Sequence, residues 1–164
     1  MSPVTFADLA RASYCPRQLY YARRRADRSP PPEARERIDL AFQYPSLRTA
    51  TDATLASLPI DLAPGAYREA LDDLATRPYW AGLVDADRRR VVVEGKDARG
   101  VIHKVLDGAD AGLGEEADRK SDPATVPVPV LVSPGAPPDR GVWEPQTVRA
   151  VAVADSVGRR AVPA

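Results

Sequence analysis

Cysteine, long apolar runs and an excess of one charge are all missing from this sequence. Cys15 is the only cysteine, so the chain cannot form an internal disulfide. No apolar run approaches the roughly 18 residues of a membrane span. Lysine plus arginine number 23, as do aspartate plus glutamate, and a net charge of zero disfavours a bulk polycation that coats nucleic acid. The first residues, MSPVTFADLARAS, hold no apolar signal-peptide core, and we expect a soluble cytoplasmic protein without membrane contact.

Aromatic residues are scarce as well, at 6% of the 164 residues. Hydrophobic residues of all kinds make up 44%, so a core is expected to consist mostly of leucine, valine and alanine. The length suits one domain of ordinary size, or one domain with tails.

Lysine is rare among the basic residues, and the charge is unevenly distributed. Three of the 23 basic residues are lysine and twenty are arginine. Residues 1–37 hold eight arginines against four acidic residues, whereas residues 38–87 hold three against eight. Two interpretations stay open: helical faces that complement each other, or a basic surface that receives nucleic acid.

The first half of the sequence is predicted to be helical. Thr5 and Asp8 resemble a capping box, and Pro16 suits the first turn of a second helix. The prolines within residues 29–32 are expected to break the chain, and Pro45 is expected to stop a helix. The predicted helices span residues 6–13, 16–25, 33–44, 49–58 and 64–74.

The second half predicts strands and a final helix. β-Branched runs at residues 90–94 and 100–106, joined by the polar segment 95–99, predict a β-hairpin. Residues 126–132 predict an edge strand, because Pro127 and Pro129 lack ladder donors. A helix is predicted over residues 144–157, ended by Gly158, and its inward side chains are expected to be Val148, Val151 and Ala152.

These elements predict an α+β or α/β fold, with N-terminal helices followed by a small mixed sheet and a helix. We expect a helical part over residues 1–87 and a sheet-and-helix part over residues 88–157. Within the second part, residues 108–127 are rich in glycine and proline and are expected to form a flexible loop. Residues 158–164 are expected to be a tail.

The most specific stretch is Tyr-Cys-Pro-Arg-Gln-Leu-Tyr-Tyr at residues 14–21. A cysteine directly before a helix-starting proline lies at the positive end of the helix dipole, which stabilises a thiolate or an anionic metal cluster. The alternative is a small buried thiol that only packs.

This stretch resembles the N-terminal motif of the CRISPR-associated RecB-like exonucleases, of the PD-(D/E)xK nuclease superfamily. The resemblance implies an incomplete form of that nuclease fold, a Mg²⁺ or Mn²⁺ ion, a 4Fe–4S cluster with Cys15 as one ligand, and partners in CRISPR adaptation. Three later stretches of the sequence are similar to short patterns of the same family. Residues 100–105 are similar to the strand that carries an Asp, residues 129–135 to the Glu-x-Lys strand, and residues 146–150 to the helix that begins with a Gln.

This correspondence puts His103 at the Asp position, Leu131 at the Glu position, Ser133 at the Lys position and Gln146 at the Gln position. A hard divalent cation needs carboxylate ligands, which Leu131 does not supply, and Ser133 does not replace an ammonium. His103 suits Mn²⁺ or a softer metal better than Mg²⁺. One thiolate does not hold a 4Fe–4S cluster unless a second chain adds ligands.

The resemblance and these departures predict a degenerate nuclease-like protein that binds DNA or a partner without cleaving. Its candidate nucleic-acid-binding residues are Arg17, Arg23, Arg24 and Arg25.

Two alternatives stay open. One is an active single-stranded DNA exonuclease with a relocated metal centre at Glu94, Lys96 and His103, although Glu94-Gly95-Lys96 also suits a solvated hairpin rim. The other is a non-functional remnant of a longer gene, which would leave a sheet edge without its partner.

Overall fold

The computed structural model describes residues 4–25, 29–108, 111, 126–132 and 138–161, with side chains up to residue 157. Helices in these ranges are α1 (Phe6–Tyr14), α2 (Pro16–Arg24), α3 (Pro32–Leu40), α4 (Tyr44–Arg48), α5 (Asp52–Ala56), α6 (Pro64–Ala75), α7 (Trp80–Val84) and α8 (Glu144–Ala161). The strands are β1 (Val4–Thr5), β2 (Arg88–Glu94), β3 (Ala98–Asp107) and β4 (Pro127–Val130). The predicted α+β fold is confirmed.

The sheet is organised around β3. The β2–β3 hairpin is antiparallel, with Glu94 opposite Arg99 and Arg88 opposite Val105. On the other side of β3, β1 runs parallel at Ala98 and Arg99, and β4 runs antiparallel along residues 104–107. The hairpin and the edge strand predicted around Pro127 and Pro129 are therefore present, and the sheet is mixed.

Two apolar clusters form the interior. The first joins the sheet to α1 and α8, and the second lies among the helices α3 to α6. Their buried members are Phe6, Val93, Ala98, Ile102, Val105 and Val153 in the first, and Leu40, Leu47, Leu55 and Leu71 in the second. A methyl group on Gly100 would overlap the Phe6 ring, so the sheet approaches α1 this closely only at a glycine.

Local capping explains several helix starts. The Thr5 hydroxyl accepts a hydrogen bond from the Asp8 N–H at 3.0 Å, as the cap prediction requires. Proline occupies the first turn of α2, α3, α4 and α6, where a missing N–H costs nothing. The prediction that Pro45 stops a helix is thus wrong, because α3 already ends at Leu40 and Pro45 lies in the first turn of α4.

Other predicted boundaries need correction. The helix predicted over residues 49–58 is the short α5, and neither β1 nor α7 was expected. Gly158 does not end α8, which continues to Ala161. The inward face of α8 also differs, since Val151 is 63% exposed and Val153 is fully buried. The predicted flexible loop at 108–127 lies almost wholly outside the described residues, as does Ser133.

None of the helices among the described residues combines the length and the apolar character that a bilayer span requires.

Candidate functional site

The motif at residues 14–21 forms the junction between α1 and α2. Cys15 has an extended backbone, with φ −162°, and caps α2. Its carbonyl accepts hydrogen bonds from the Gln18 N–H at 3.0 Å and the Leu19 N–H at 3.3 Å. The Cys15 side chain therefore lies at the helix N-terminus that the sequence predicts, and it is half-buried.

Cys15 alone does not meet the ligand requirement of an iron–sulfur cluster. A cluster needs several thiolates, and the chain has one cysteine. Within the described ranges, no group of three or more histidine, cysteine, aspartate or glutamate residues is placed to hold a metal ion. The residues present do not fit a 4Fe–4S cluster.

Helix α2 presents arginine and tyrosine side chains to solvent. Its nine residues include Arg17, Arg23 and Arg24 and no acidic residue, and the exposed fractions of Tyr20 and Tyr21 are 54% and 56%. The Tyr20 and Tyr21 rings meet edge to face at 5.4 Å between centroids. We call Arg17, Tyr20, Tyr21, Arg24 and Arg25 the α2 surface.

The four predicted nucleic-acid-binding arginines are exposed but not equivalent. The Arg24 guanidinium donates a hydrogen bond to the Tyr20 hydroxyl and lies 4.9 Å from the centre of its ring. Arg23 instead lies 3.6 Å from the carboxylate of Asp8, a buried residue of α1. Arg17, Arg24 and Arg25 therefore carry the positive charge of the α2 surface, while Arg23 also ties α2 to α1.

A cleft of about 470 Å³ continues the α2 surface towards α1. Most of its lining residues are polar or aromatic, with two arginines among them, and the other two are small and apolar. The lining residues are Arg11, Gln18, Tyr21, Ala22, Arg25, Ser29 and Pro31. An extended, negatively charged chain is the kind of ligand that such a basic and aromatic groove receives.

The correspondence to the nuclease site falls on β3, the end of β4, and α8. β3 and β4 are neighbouring strands, and α8 packs against β4. His103 lies on β3, Leu131 directly follows β4, and Gln146 lies in the first turn of α8. Leu131, Val132 and Gln146 line one cleft. His103 lies next to it, because it accepts a hydrogen bond from the Val132 N–H.

His103 is buried and neutral. Its Nδ1 accepts a hydrogen bond from the Val132 N–H at 2.7 Å, so the ring proton is on Nε2. Burial, together with the nearby positive charges of Arg149 and Arg90, lowers the pKa of His103 to about 4. Both ring nitrogens are thereby assigned, and neither offers a free lone pair to a metal.

The other corresponding positions add no metal ligand. Leu131 packs against the sheet cluster. Gln146 contributes a neutral amide, which does not replace the carboxylates that Mg²⁺ and Mn²⁺ require. The described residues at this position therefore do not fit a catalytic divalent cation.

The Glu94-Gly95-Lys96 segment forms the hairpin turn at the opposite end of β3. The Gly95 N–H donates to the Ala98 carbonyl at 2.8 Å, which closes the turn. Glu94 pairs with Arg99, four residues from His103 along β3, or about 13 Å at the rise of a strand. The structure does not bring Glu94 and Lys96 together with His103.

Arg149 is a residue of this region that the sequence analysis did not identify. It follows Gln146 by three positions, so both side chains face the same cleft from one side of α8. Its Nε is buried and has no hydrogen-bond partner in the described part of the chain. Its i, i+3 spacing from Gln146 was the sequence signal that could have identified it.

Lys104 is a buried cation that the sequence analysis also did not identify. Its side chain is 1% exposed, and Nζ donates hydrogen bonds to the carbonyls of Ala41 at 2.7 Å and Leu83 at 2.6 Å. Nζ also lies about 5 Å from the ring centres of Phe42 and Tyr44. Burial and the charge of Arg89 lower the pKa of Lys104 to about 8.

Comparison with protein-family models, curated proteins and solved structures found no match to this chain.

Proposed function

We propose that this protein is a nuclease-like, CRISPR-associated protein that binds single-stranded DNA through the α2 surface without cleaving it. The observation that carries the proposal is a helix face with exposed arginines and tyrosines and no acidic residue. A cytoplasmic location belongs to the same proposal, and so does a partnership with CRISPR adaptation proteins, which the resemblance of residues 14–21 implies.

The chemistry of single-stranded DNA matches this surface. Successive bases stack on exposed aromatic rings, and the phosphates between them pair with arginine. Tyr20 and Tyr21 supply two adjacent rings, and Arg24 is held beside Tyr20 by its hydrogen bond and ring contact. Arg17 lies on the same helix, seven residues before Arg24, and therefore on nearly the same face.

The proposed loss of cleavage rests on the second site. Metal-dependent hydrolysis of a phosphodiester needs carboxylates that hold the cation and position water. His103, Leu131 and Gln146 supply none, and the Nδ1 lone pair of His103 is already used by the Val132 N–H.

Binding is tested by fluorescence anisotropy with a labelled single-stranded oligonucleotide over a series of salt concentrations. Each phosphate contact contributes about 0.7 to the slope of log affinity against log salt. The double variant Arg17→Ala/Arg24→Ala should reduce that slope by about 1.4 and weaken binding strongly.

The matched control is Arg77→Ala/Arg88→Ala, which removes two exposed arginines outside α2. It should bind nearly as well as the unmodified protein. Equal loss in both double variants, or affinity that does not depend on salt, would contradict the proposal. Cleavage is tested separately with Mn²⁺ and with EDTA, and Mn²⁺-dependent degradation of the DNA would refute the inactive part.

A further inference from the structure

A second cleft lies between the end of β4 and α8, with a volume of about 360 Å³. That size is within the range of small-molecule sites. Among the described residues, most of its wall is aliphatic and includes one charged side chain and one amide. The lining residues are Ala10, Pro129, Leu131, Val132, Val142, Gln146, Arg149, Ala150 and Val153.

Arg149 gives this cleft its polarity. Burial lowers the pKa of its guanidinium, and no acidic residue in the described part of the chain counteracts that effect. A buried donor without a partner is costly, and so is a partly desolvated charge without a counter-ion. An anion in the cleft would supply a counter-ion to the part of the guanidinium that lines it.

The walls determine which anion is suited. One guanidinium balances one negative charge and binds a carboxylate in a two-pronged geometry. A phosphate dianion would need further donors or cations, whereas Leu131, Val132, Val142 and Val153 offer only apolar contact. The composition of the cleft therefore favours a carboxylate attached to an apolar body.

We propose that the cleft between β4 and α8 binds a small aliphatic carboxylate, with the carboxylate on Arg149 and the apolar body against Leu131 and Val142. The cleft shares no residue with the α2 surface. The inference does not depend on DNA binding and can fail or hold separately from it.

His103 is a built-in reporter of this site, because it is the only histidine in the chain. The positive charge of Arg149 contributes to the low pKa of His103. A carboxylate that neutralises Arg149 should raise that pKa towards its ordinary value of about 6.5. The change is visible in a single imidazole resonance.

The experiment titrates the full chain with sodium hexanoate and follows the His103 resonance by NMR, with calorimetry for affinity. We expect saturable binding, an upward shift of the His103 pKa, and affinity at least about tenfold weaker in Arg149→Met. Arg140→Met is the matched control, because Arg140 is exposed and does not line the cleft. It should bind hexanoate normally.

Two further probes make the outcome decisive without any variant. Hexan-1-ol has the same apolar body without the charge, and inorganic phosphate has charge without an apolar body. Hexanol binding as tightly as hexanoate, phosphate binding in its place, or no saturable hexanoate binding would each overturn the proposal. If Arg149→Met does not fold, the hexanoate–hexanol difference still tests it.

Discussion

Lys104 is a buried cation and Arg149 a half-buried one, and their surroundings differ. Lys104 on β3 donates to two backbone carbonyls and lies beside two aromatic rings. Arg149 on α8 has a buried Nε without a partner among the described residues and borders an apolar cleft. The fold thus supplies hydrogen-bond acceptors to the Lys104 ammonium, whereas its described part leaves the Nε of Arg149 without one.

This difference indicates a structural role for Lys104 and a ligand-binding role for Arg149. Lys104 on β3 donates to Ala41, which directly follows α3, and to Leu83 in α7. These two hydrogen bonds connect both helical segments to the central strand. Its removal should therefore affect folding. Arg149 connects nothing by a hydrogen bond from Nε, so its removal should affect ligands more than stability.

The largest expected effect is the loss of stability in Lys104→Ala. The substitution leaves a cavity and two buried carbonyls without a donor, while relief of the desolvated ammonium offsets part of the cost. We expect the free energy of unfolding, measured with urea, to fall by roughly 4 kcal/mol. Lys104→Met refills the cavity and should lose less.

Two control variants define the comparison. Lys96→Ala, at the exposed hairpin turn, should change the free energy of unfolding by less than about 0.5 kcal/mol. Arg149→Met should change it by less than about 1 kcal/mol, because methionine keeps most of the packing and the substitution relieves the desolvation of an unpartnered charge. A loss in Arg149→Met as large as that in Lys104→Ala would remove the proposed distinction.

The next effect is a loss of stability in acid, due to His103. Its pKa is about 4 in the folded chain and about 6.5 when unfolded. Between these values the unfolded chain binds more protons, so stability falls as the pH falls from 6.5 to 4. The shift corresponds to about 3 kcal/mol.

Two variants distinguish the His103 contribution to acid stability from the titration of carboxylates between pH 4 and 6.5. His103→Gln should lack it, since an amide oxygen can still accept from the Val132 N–H. Arg149→Met should reduce it, because one of the two cations that lower the His103 pKa is gone. An NMR titration that finds the His103 pKa at 6.5 or above would exclude this account.

At alkaline pH, Lys104 should produce the same trend in a second window, with stability rising as the pH rises. Its pKa is about 8 in the folded chain against about 10.4 when unfolded. The unfolded chain again binds more protons in this window, so stability should rise with pH. From pH 8 to 9.5 we expect a gain of about 2 kcal/mol, and none in Lys104→Met. A flat profile in the unmodified protein would show that the carbonyls fully stabilise the ammonium.

Local signals predicted much of the fold. The hairpin was readable because two β-branched runs flank a polar turn, and α2 and α6 begin at the expected prolines. The prediction for Pro45 was wrong because proline is common both after the end of a helix and in the first turn of a helix. For α8, valines at 148, 151, 153 and 157 surround the helix, so the sequence does not specify the buried face.

The candidate site was less predictable, because burial depends on distant partners. Lys104 meets carbonyls 63 and 21 residues away in the chain, which no local pattern indicates. The family patterns pointed to the region of His103, Leu131 and Gln146, but only the assembled cleft shows Arg149 as the charged residue in its wall.

The smallest expected effect tests the binding half of the comparison. A ligand that binds only the folded chain stabilises it by about 1.4 kcal/mol at ten times its dissociation constant. Hexanoate at that concentration should therefore raise the free energy of unfolding of the unmodified protein and of Lys96→Ala, measured with urea. Arg149→Met should gain no more than about 0.4 kcal/mol, since the charge that recognises the carboxylate is missing and affinity is at least about tenfold weaker. An equal gain in Arg149→Met would mean that hexanoate acts elsewhere, and Arg149 would then be a half-buried charge without a ligand role.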